Sequence, residues 1–479
     1  MVTDDDQLRA ALDAPRERWI AFLHPTQKRL VEAYFNGPAK ITGSAGTGKT
    51  VVAMHRARYL VRTGHRVLLT SFVKTLCANI EHNLRLLCTD EERERITVST
   101  VHRQALELAR RVYPGLQLAT DDDVKKVVAQ LTPEHAADFD PDIAFAEWDN
   151  VITAKGLTSW ADYRKVKRTG RSRTISVRER RQLWTLFEAV RAALRAQNKL
   201  DAAALCEFAV EVVQTHGSDY DAVLVDEVQD LRVSELRLLV ALTAHNPSGL
   251  TLFGDSGQRI YPGGFSLSAL GINVRGRSTV LRINYRTTEQ IRRAADRMIG
   301  ESQDDMDEGS ESRKGTRSIL RGPEPSFAGY ASPADELEGA VEQVKRWIEG
   351  GLAPEAIALF ARTRREVNAA KGALEQAEIP VHQLADDIGI GAGSVAVGTM
   401  HRAKGLEFKA VLVVACTDKL VPFHRNVGLT VDRQDAEQAL DNERRLLYVA
   451  MTRARQELRV TWHRTPSPFL ADITSGVKK

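Results

Sequence analysis

Residues 41–55 read ITGSAGTGKTVVAMH. Within them GSAGTGKT fits the pattern G-x-x-x-x-G-K-[ST], with Gly43, Gly48, Lys49 and Thr50 at the fixed places. Glycines let backbone N–H groups turn inward around anionic oxygens, and a helix N-terminus adds partial positive charge. The apolar run AKIT (39–42) reads as a strand before the loop, and a helical pattern follows it. The loop Gly43, Ser44, Ala45, Gly46, Thr47 and Gly48 would therefore cradle the phosphates of a nucleoside triphosphate. Lys49 would reach the β- and γ-phosphates, and the Thr50 hydroxyl would ligate Mg2+. The competing reading, a chance glycine turn, does not account for the flanking strand and helix.

Such a loop needs an acidic partner, and AVLVDEVQD (222–230) supplies one. Its apolar strand ends in Asp226 and Glu227, so both carboxylates emerge where ligands bind in open parallel sheets. Asp226 would hold Mg2+, and Glu227 would orient and deprotonate the attacking water. Hydrolysis also needs positive charge on the γ-phosphate. The candidates are Arg286 in INYRTT and Arg453 in YVAMTRAR. If Arg453 reaches the nucleotide, hydrolysis depends on closure between two parts of the chain.

The 479 residues suggest two to four domains. A hydrophobic content of 43% and a charged content of 27% describe a soluble globular protein. No apolar run approaches the roughly 20 residues that span a bilayer, and the acidic start lacks the pattern of a secretory signal; a cytoplasmic location is expected. The four cysteines are scattered, so buried thiols are expected rather than a metal site or disulfides. The net charge of +4 says little about partners, but residues 163–181 carry nine Lys/Arg against one Glu and could track phosphates or simply face solvent.

Short apolar runs alternate with helical patterns, which predicts an α/β fold with parallel sheets. Residues 105–205 read as helical without a convincing strand. The polar run 301–325 reads as a linker, after which the α/β rhythm resumes. The expected layout is a first lobe over 1–104 and 206–300, a helical insertion over 105–205, a linker over 301–325 and a second lobe over 326–479.

Together the motifs resemble those of superfamily 1A helicases, the family of UvrD, Rep and PcrA, in order along nearly the whole chain. HPTQKRLV is similar to the family's adenine-reading segment, with Gln27 as reader. LLTSFVKTLCANI and ITVSTVHRQA resemble strand-contacting segments, which implies that Phe72, Asn79, Thr100 and His102 face nucleic acid. LFGDSGQRIY resembles the coupling motif, with Gln258 sensing the γ-phosphate. LRINYRTT implies Tyr285 stacking on adenine and Arg286 as an arginine finger. VAVGTMHRAKGLEFKAVLVV implies Thr399 and His401 on the strand and Glu407 on the ribose, and NERRLLYVAMTRARQEL implies Arg453 as the second finger. The resemblance implies two RecA-like P-loop NTPase lobes with ATP between them and 3′-to-5′ stepping on single-stranded DNA.

Three departures stand out. Val51 occupies the place of a frequent adenine-stacking Arg, which implies looser base selectivity. The coupling motif lacks its Trp, leaving Phe265 or Tyr261 as the aromatic substitute. The second lobe has no room for the helical domain that relatives insert there. A translocase that unwinds duplexes is the leading expectation; a nucleic-acid-stimulated ATPase switch in a repair or defence complex is the alternative, and a scaffold with a dead site is the weakest. The expected partners are single-stranded DNA, with tailed duplex or RNA as further tracks, and a protein of such a complex. A monomer without membrane contact is expected.

Overall fold

A computed structural model describes residues 23–166, 175–243, 246–260, 265–300, 302–304, 310–312, 314–384, 391, 393–423 and 433–474. Two six-stranded parallel sheets organise it. In the first lobe the strands are β1 (Ala39–Gly43), β2 (Val67–Ser71), β3 (Ile96–Thr100), β4 (Ala222–Asp226), β5 (Leu250–Gly254) and β6 (Ser278–Leu281), in the order β3-β2-β4-β5-β1-β6. In the second they are β7 (Ser326–Tyr330), β8 (Ile357–Ala361), β9 (Val381–Gln383), β10 (Val395–Thr399), β11 (Phe408–Val413) and β12 (Ala454–His463), in the order β7-β12-β11-β8-β10-β9. Strands β1, β2, β4, β5 and β8 are buried at every position. That explains their continuous apolar runs: a parallel sheet covered by helices on both faces has no solvent side to call for alternation.

The helices that carry the site are α1 (Pro25–Glu32), α2 (Lys49–Arg62), α3 (Lys74–Leu87), α4 (Val101–Val112), α5 (Val233–Ala241), α6 (Pro333–Glu349), α7 (Arg364–Gln376) and α8 (Arg433–Met451). Several start on a side chain that caps them. Thr100 caps α4 by accepting from Arg103 N, and Ser332 caps α6 with Pro333 as first helical residue. Helix α2 instead begins on Gly48 at φ 82°, with no side-chain cap, so its first N–H groups remain directed at the loop.

The helical stretch between β3 and β4 has its own core. Phe139, Trp148, Tyr163, Trp184 and Phe187 are buried together, with Tyr163 stacked on Trp184 and donating to Glu147 Oε1 at 2.8 Å. A two-residue parallel pair, Gln117–Leu118 with Lys199–Leu200, closes its stem. Strands this short leave no period in the sequence. Helix α4 and Ala202–His216, which straddle the two ends of the range 105–205, pack instead on the first lobe's core. Between the lobes, Ser302–Asp304 and Ser310–Ser312 form an antiparallel pair and Arg317–Ser318 joins Ile283–Asn284; the polar run expected as a linker is thus partly paired, since an edge ladder needs backbone groups rather than apolar side chains. Among the described residues no helix is long and apolar enough to cross a membrane. The cysteines are free; Cys77, Cys206 and Cys416 are buried, whereas Cys88 is only half-buried.

One buried cation anchors α1. Arg56, fully buried on α2, donates from Nη1 to the carbonyls of Leu30 (3.1 Å), Val31 (3.0 Å) and Ala33 (3.0 Å), and from Nε to Thr251 Oγ1 at 3.1 Å. Its guanidinium lies over the Phe35 ring. Arg56→Met leaves the buried Val31 carbonyl and the partly buried Leu30 and Ala33 carbonyls without this donor. It is expected to cost about 3 kcal/mol in a urea melt and to weaken nucleotide binding, because α1 carries Gln27. An unshifted midpoint would show that the clamp is dispensable.

Candidate functional site

Gly46 and Gly48 adopt φ of 81° and 82°, conformations that favour glycine. A Cβ at Gly46 would meet Asn284 Oδ1 and Arg286 Cβ, and one at Gly48 would meet Gln27 Nε2. The loop is therefore packed from two sides. Asn284 donates to Ala45 O at 2.8 Å and accepts from the backbone N–H groups of Arg286 and Thr287. Gln27 donates to Thr47 O at 3.1 Å and accepts from His24 N at 3.1 Å. Tyr285 is buried next to them, its ring 6.2 Å from that of His24. Asn284 was not singled out from the sequence; its place one residue before Tyr285 gave no signal of its own.

Lys49 is buried and donates to the carbonyls of Gly43 (2.7 Å) and Ser44 (3.3 Å). Thr50 Oγ1 donates to Asp226 Oδ2 at 2.6 Å. Register explains this meeting: β4 sits two strands from β1 in the sheet, and both chains leave it at their carboxyl ends. Burial and the charge of Glu227 push the Asp226 carboxyl up to about 6. Burial also acts to raise the Glu227 carboxyl, but Lys404, Lys49, Gln229 and Arg453 outweigh it and hold it low. The two acids are thus set apart by their surroundings.

The second lobe closes the cleft. Arg453, on the turn after α8, is 2% exposed and donates to Gln258 Oε1 of the first lobe at 2.8 Å, and to Val449 O and Leu406 O of its own. Burial, then the charge of Arg286, pushes its pKa down to about 10, so it stays protonated at neutral pH. Arg286 pairs with Glu407 at 2.6 Å. Lys404 forms an ion pair with Asp230, both side chains almost fully buried, and donates to Gln258 O at 3.0 Å. Lys49, Thr50, Glu227, Gln258, Arg286, Glu407 and Arg453 all line one cavity.

The residues expected on nucleic acid separate into groups. Phe72 and His102 meet at the carboxyl ends of β2 and β3, their rings 5.9 Å apart and edge-on, and His102 Nε2 lies 2.8 Å from Glu235 Oε1 of α5. The Thr100 hydroxyl serves as the cap of α4. Asn79 lines the same cavity as Lys49 and Arg453, with Leu76 and Asn83, whose Nδ2 donates to its Oδ1 at 2.8 Å. Thr399 ends β10 and His401 follows it. Phe265 packs on the first lobe's core. Tyr261 and residues 167–174 of the basic run lie outside the described residues.

Residues 23–266 match the UvrD/REP helicase N-terminal domain, and residues 382–465 the UvrD-like helicase C-terminal domain. The chain is 23% identical to the ATP-dependent DNA helicase UvrD2 of Mycobacterium tuberculosis over 97% of its length and 79% of the relative's. It is 25% identical to DNA helicase IV of Escherichia coli over 94% of its length and 69% of the relative's. A 60-residue stretch is 53% identical to a putative ATP-dependent DNA helicase, YjcD, of Bacillus subtilis, covering 12% of this chain and 8% of that one.

Burial, then the charge of Arg362, pushes the His401 imidazole down to about 4. Below pH 6.5 the unfolded chain therefore binds a proton that the folded state excludes. Stability is expected to fall as pH drops from 6.5 toward 4, by up to about 3 kcal/mol. In His401→Asn the urea midpoint should decline less steeply over that window; an identical slope would assign the loss to other groups.

Proposed function

The chain belongs to the UvrD/REP family of ATP-dependent DNA helicases, and on that premise we propose that it hydrolyses ATP between its two lobes to step 3′-to-5′ along single-stranded DNA and to part duplexes ahead of it. The observation that carries this reading is one cleft lined by Lys49 and Glu227 from one lobe and Arg453 from the other. Polarity and stepping rest on the family alone.

Lys49 would leave the carbonyls of Gly43 and Ser44 for the β- and γ-phosphates. Thr50 and Asp226 fit a magnesium ion: both offer hard oxygen donors, and the Asp226 carboxylate is fully buried with its proton affinity raised. When bound, that ion neutralises charge on the phosphate oxygens. Glu227, held ionised, would accept the proton of the attacking water. Arg286 and Arg453 would exchange their protein acceptors for the γ-phosphate, and Gln258 would register its presence. Tyr285 and Gln27 would hold the adenine, and Glu407 the ribose. Phe72, His102, Thr399 and His401 would carry the strand across the carboxyl ends of both sheets. Stacking on aromatic rings gives a grip that tolerates any sequence.

A second reading has one observation in its favour. Strand β9 ends at Gln383 and β10 begins at Val395, which leaves no room for a folded domain between them. An ATPase that senses single strands without processive unwinding, as a subunit of a repair or defence complex, accords with that. Displacement of 3′- and 5′-tailed duplexes, assayed beside ATP turnover, separates the two.

Lys49→Ala should abolish hydrolysis while single-strand binding stays measurable by anisotropy. Arg453→Ala should lower kcat on the order of 10³-fold, as loss of an arginine finger does. Normal turnover in Arg453→Ala would sink the two-lobe site. Strand affinity should fall steeply with salt as phosphate contacts release counterions; a flat response would remove the electrostatic part of the reading.

A further inference from the structure

Five buried side chains join the lobes through one hydrogen-bonded chain. Gln229 donates from Nε2 to Glu227 Oε2. Its Oε1 accepts from the backbone N–H of Asp255 at 3.0 Å. Asp255 Oδ2 accepts from Gln258 Nε2 at 2.7 Å, and Gln258 Oε1 accepts from Arg453 Nη2 at 2.8 Å. No member is more than 7% exposed.

Chemistry dictates the direction of both amides. A peptide N–H and a guanidinium only donate, so each must face a carbonyl oxygen. That turns Gln229 Nε2 toward Glu227 and Gln258 Nε2 toward Asp255. Glu227 needs such a restraint, because its backbone sits at φ 57°, a left-handed conformation that an L residue holds only against strain. Lys49, Asp226, Asp230, Lys404 and Arg453 surround it as charges, and charges attract or repel without fixing an oxygen's direction. The amide of Gln229 fixes it.

We infer that Gln229 is a positioning residue: it occupies one oxygen of Glu227, leaves the other for the attacking water, and ties that orientation to the seat of Arg453 in the opposite lobe. The inference rests on the reading of Glu227 as the base. It makes the geometry of water activation sensitive to whether the lobes are closed, since Gln258 and Asp255 lie between the two ends of the chain.

Gln229→Glu keeps an acceptor for Asp255 N–H but removes the donor toward Glu227, and Gln229→Met removes both. In each, kcat for ATP hydrolysis stimulated by single-stranded DNA should fall at least about tenfold, a part of the roughly 10²–10⁴-fold that a general base supplies. The Kd for a fluorescent ATP analogue should stay within about twofold, since only the transition state uses the lost interaction. Exchanging the pair, Glu227→Gln with Gln229→Glu, restores donor and acceptor. The melting temperature lost in Gln229→Glu should return in that double variant while hydrolysis stays absent. Near-normal kcat in Gln229→Glu, or a nucleotide affinity that falls in step with kcat, would overturn the role. If Gln229→Met does not fold, Gln229→Glu and the exchanged pair decide the matter. Glu227→Gln is the control. Normal hydrolysis there sinks the reading of Glu227 as base, whereas an inactive Glu227→Gln beside an active Gln229→Glu sinks the positioning role alone.

Discussion

A buried guanidinium must find acceptors, and Arg453 finds them in both halves of the molecule: Val449 O and Leu406 O in its own lobe, Gln258 Oε1 in the other. The bond to Gln258 sets the register between the lobes at the place where a triphosphate is cradled. Because Gln258 follows β5, it moves with the phosphate loop on β1, two neighbouring strands of one rigid sheet. Because Arg453 lies between α8 and β12, it moves with the second sheet. A ligand that draws Arg453 from Gln258 acts on the whole interface between them.

The charges around this bond are arranged as pairs waiting for exchange. Arg286 rests on Glu407, Lys49 on loop carbonyls, and Thr50 on Asp226. Each partner is one that a phosphate or a divalent ion could replace without a long movement. Lys404 with Asp230 is different in kind. This pair is almost fully buried, and removing either member would strand a charge away from water. It joins the lobes beside the exchangeable pairs, Lys404 from the second and Asp230 from the first.

Much of this was legible in the chain. The pattern GSAGTGKT and the strand ending in Asp226 and Glu227 carry their chemistry locally: a glycine turn needs positive φ, and a buried parallel strand needs an unbroken apolar run. Arg286 and Arg453 were candidates, though nothing in their neighbourhoods said what they would touch. That Asn79 borders the cavity holding Lys49 and Arg453 was not legible, because which side of α3 meets that cavity depends on tertiary packing. Arg56, Asn284, Gln229, Asp255 and Lys404 raised no signal. A buried polar side chain looks like a surface one until its partners, up to 239 positions distant in the case of Asn284 and Ala45, are brought to it.

The sequence by itself determined two parallel α/β lobes, a helical stretch within the first, and a loop shaped for a triphosphate. Those follow from hydrophobic period and glycine conformation, which act over a few residues. Only the tertiary structure decided that Lys49, Glu227 and Arg453 share one cleft, and that Gln229 and Gln258 run a directed chain of hydrogen bonds between them. Convergence of that kind is set by strand order and lobe docking, and strand order is fixed by contacts between segments far apart in the chain.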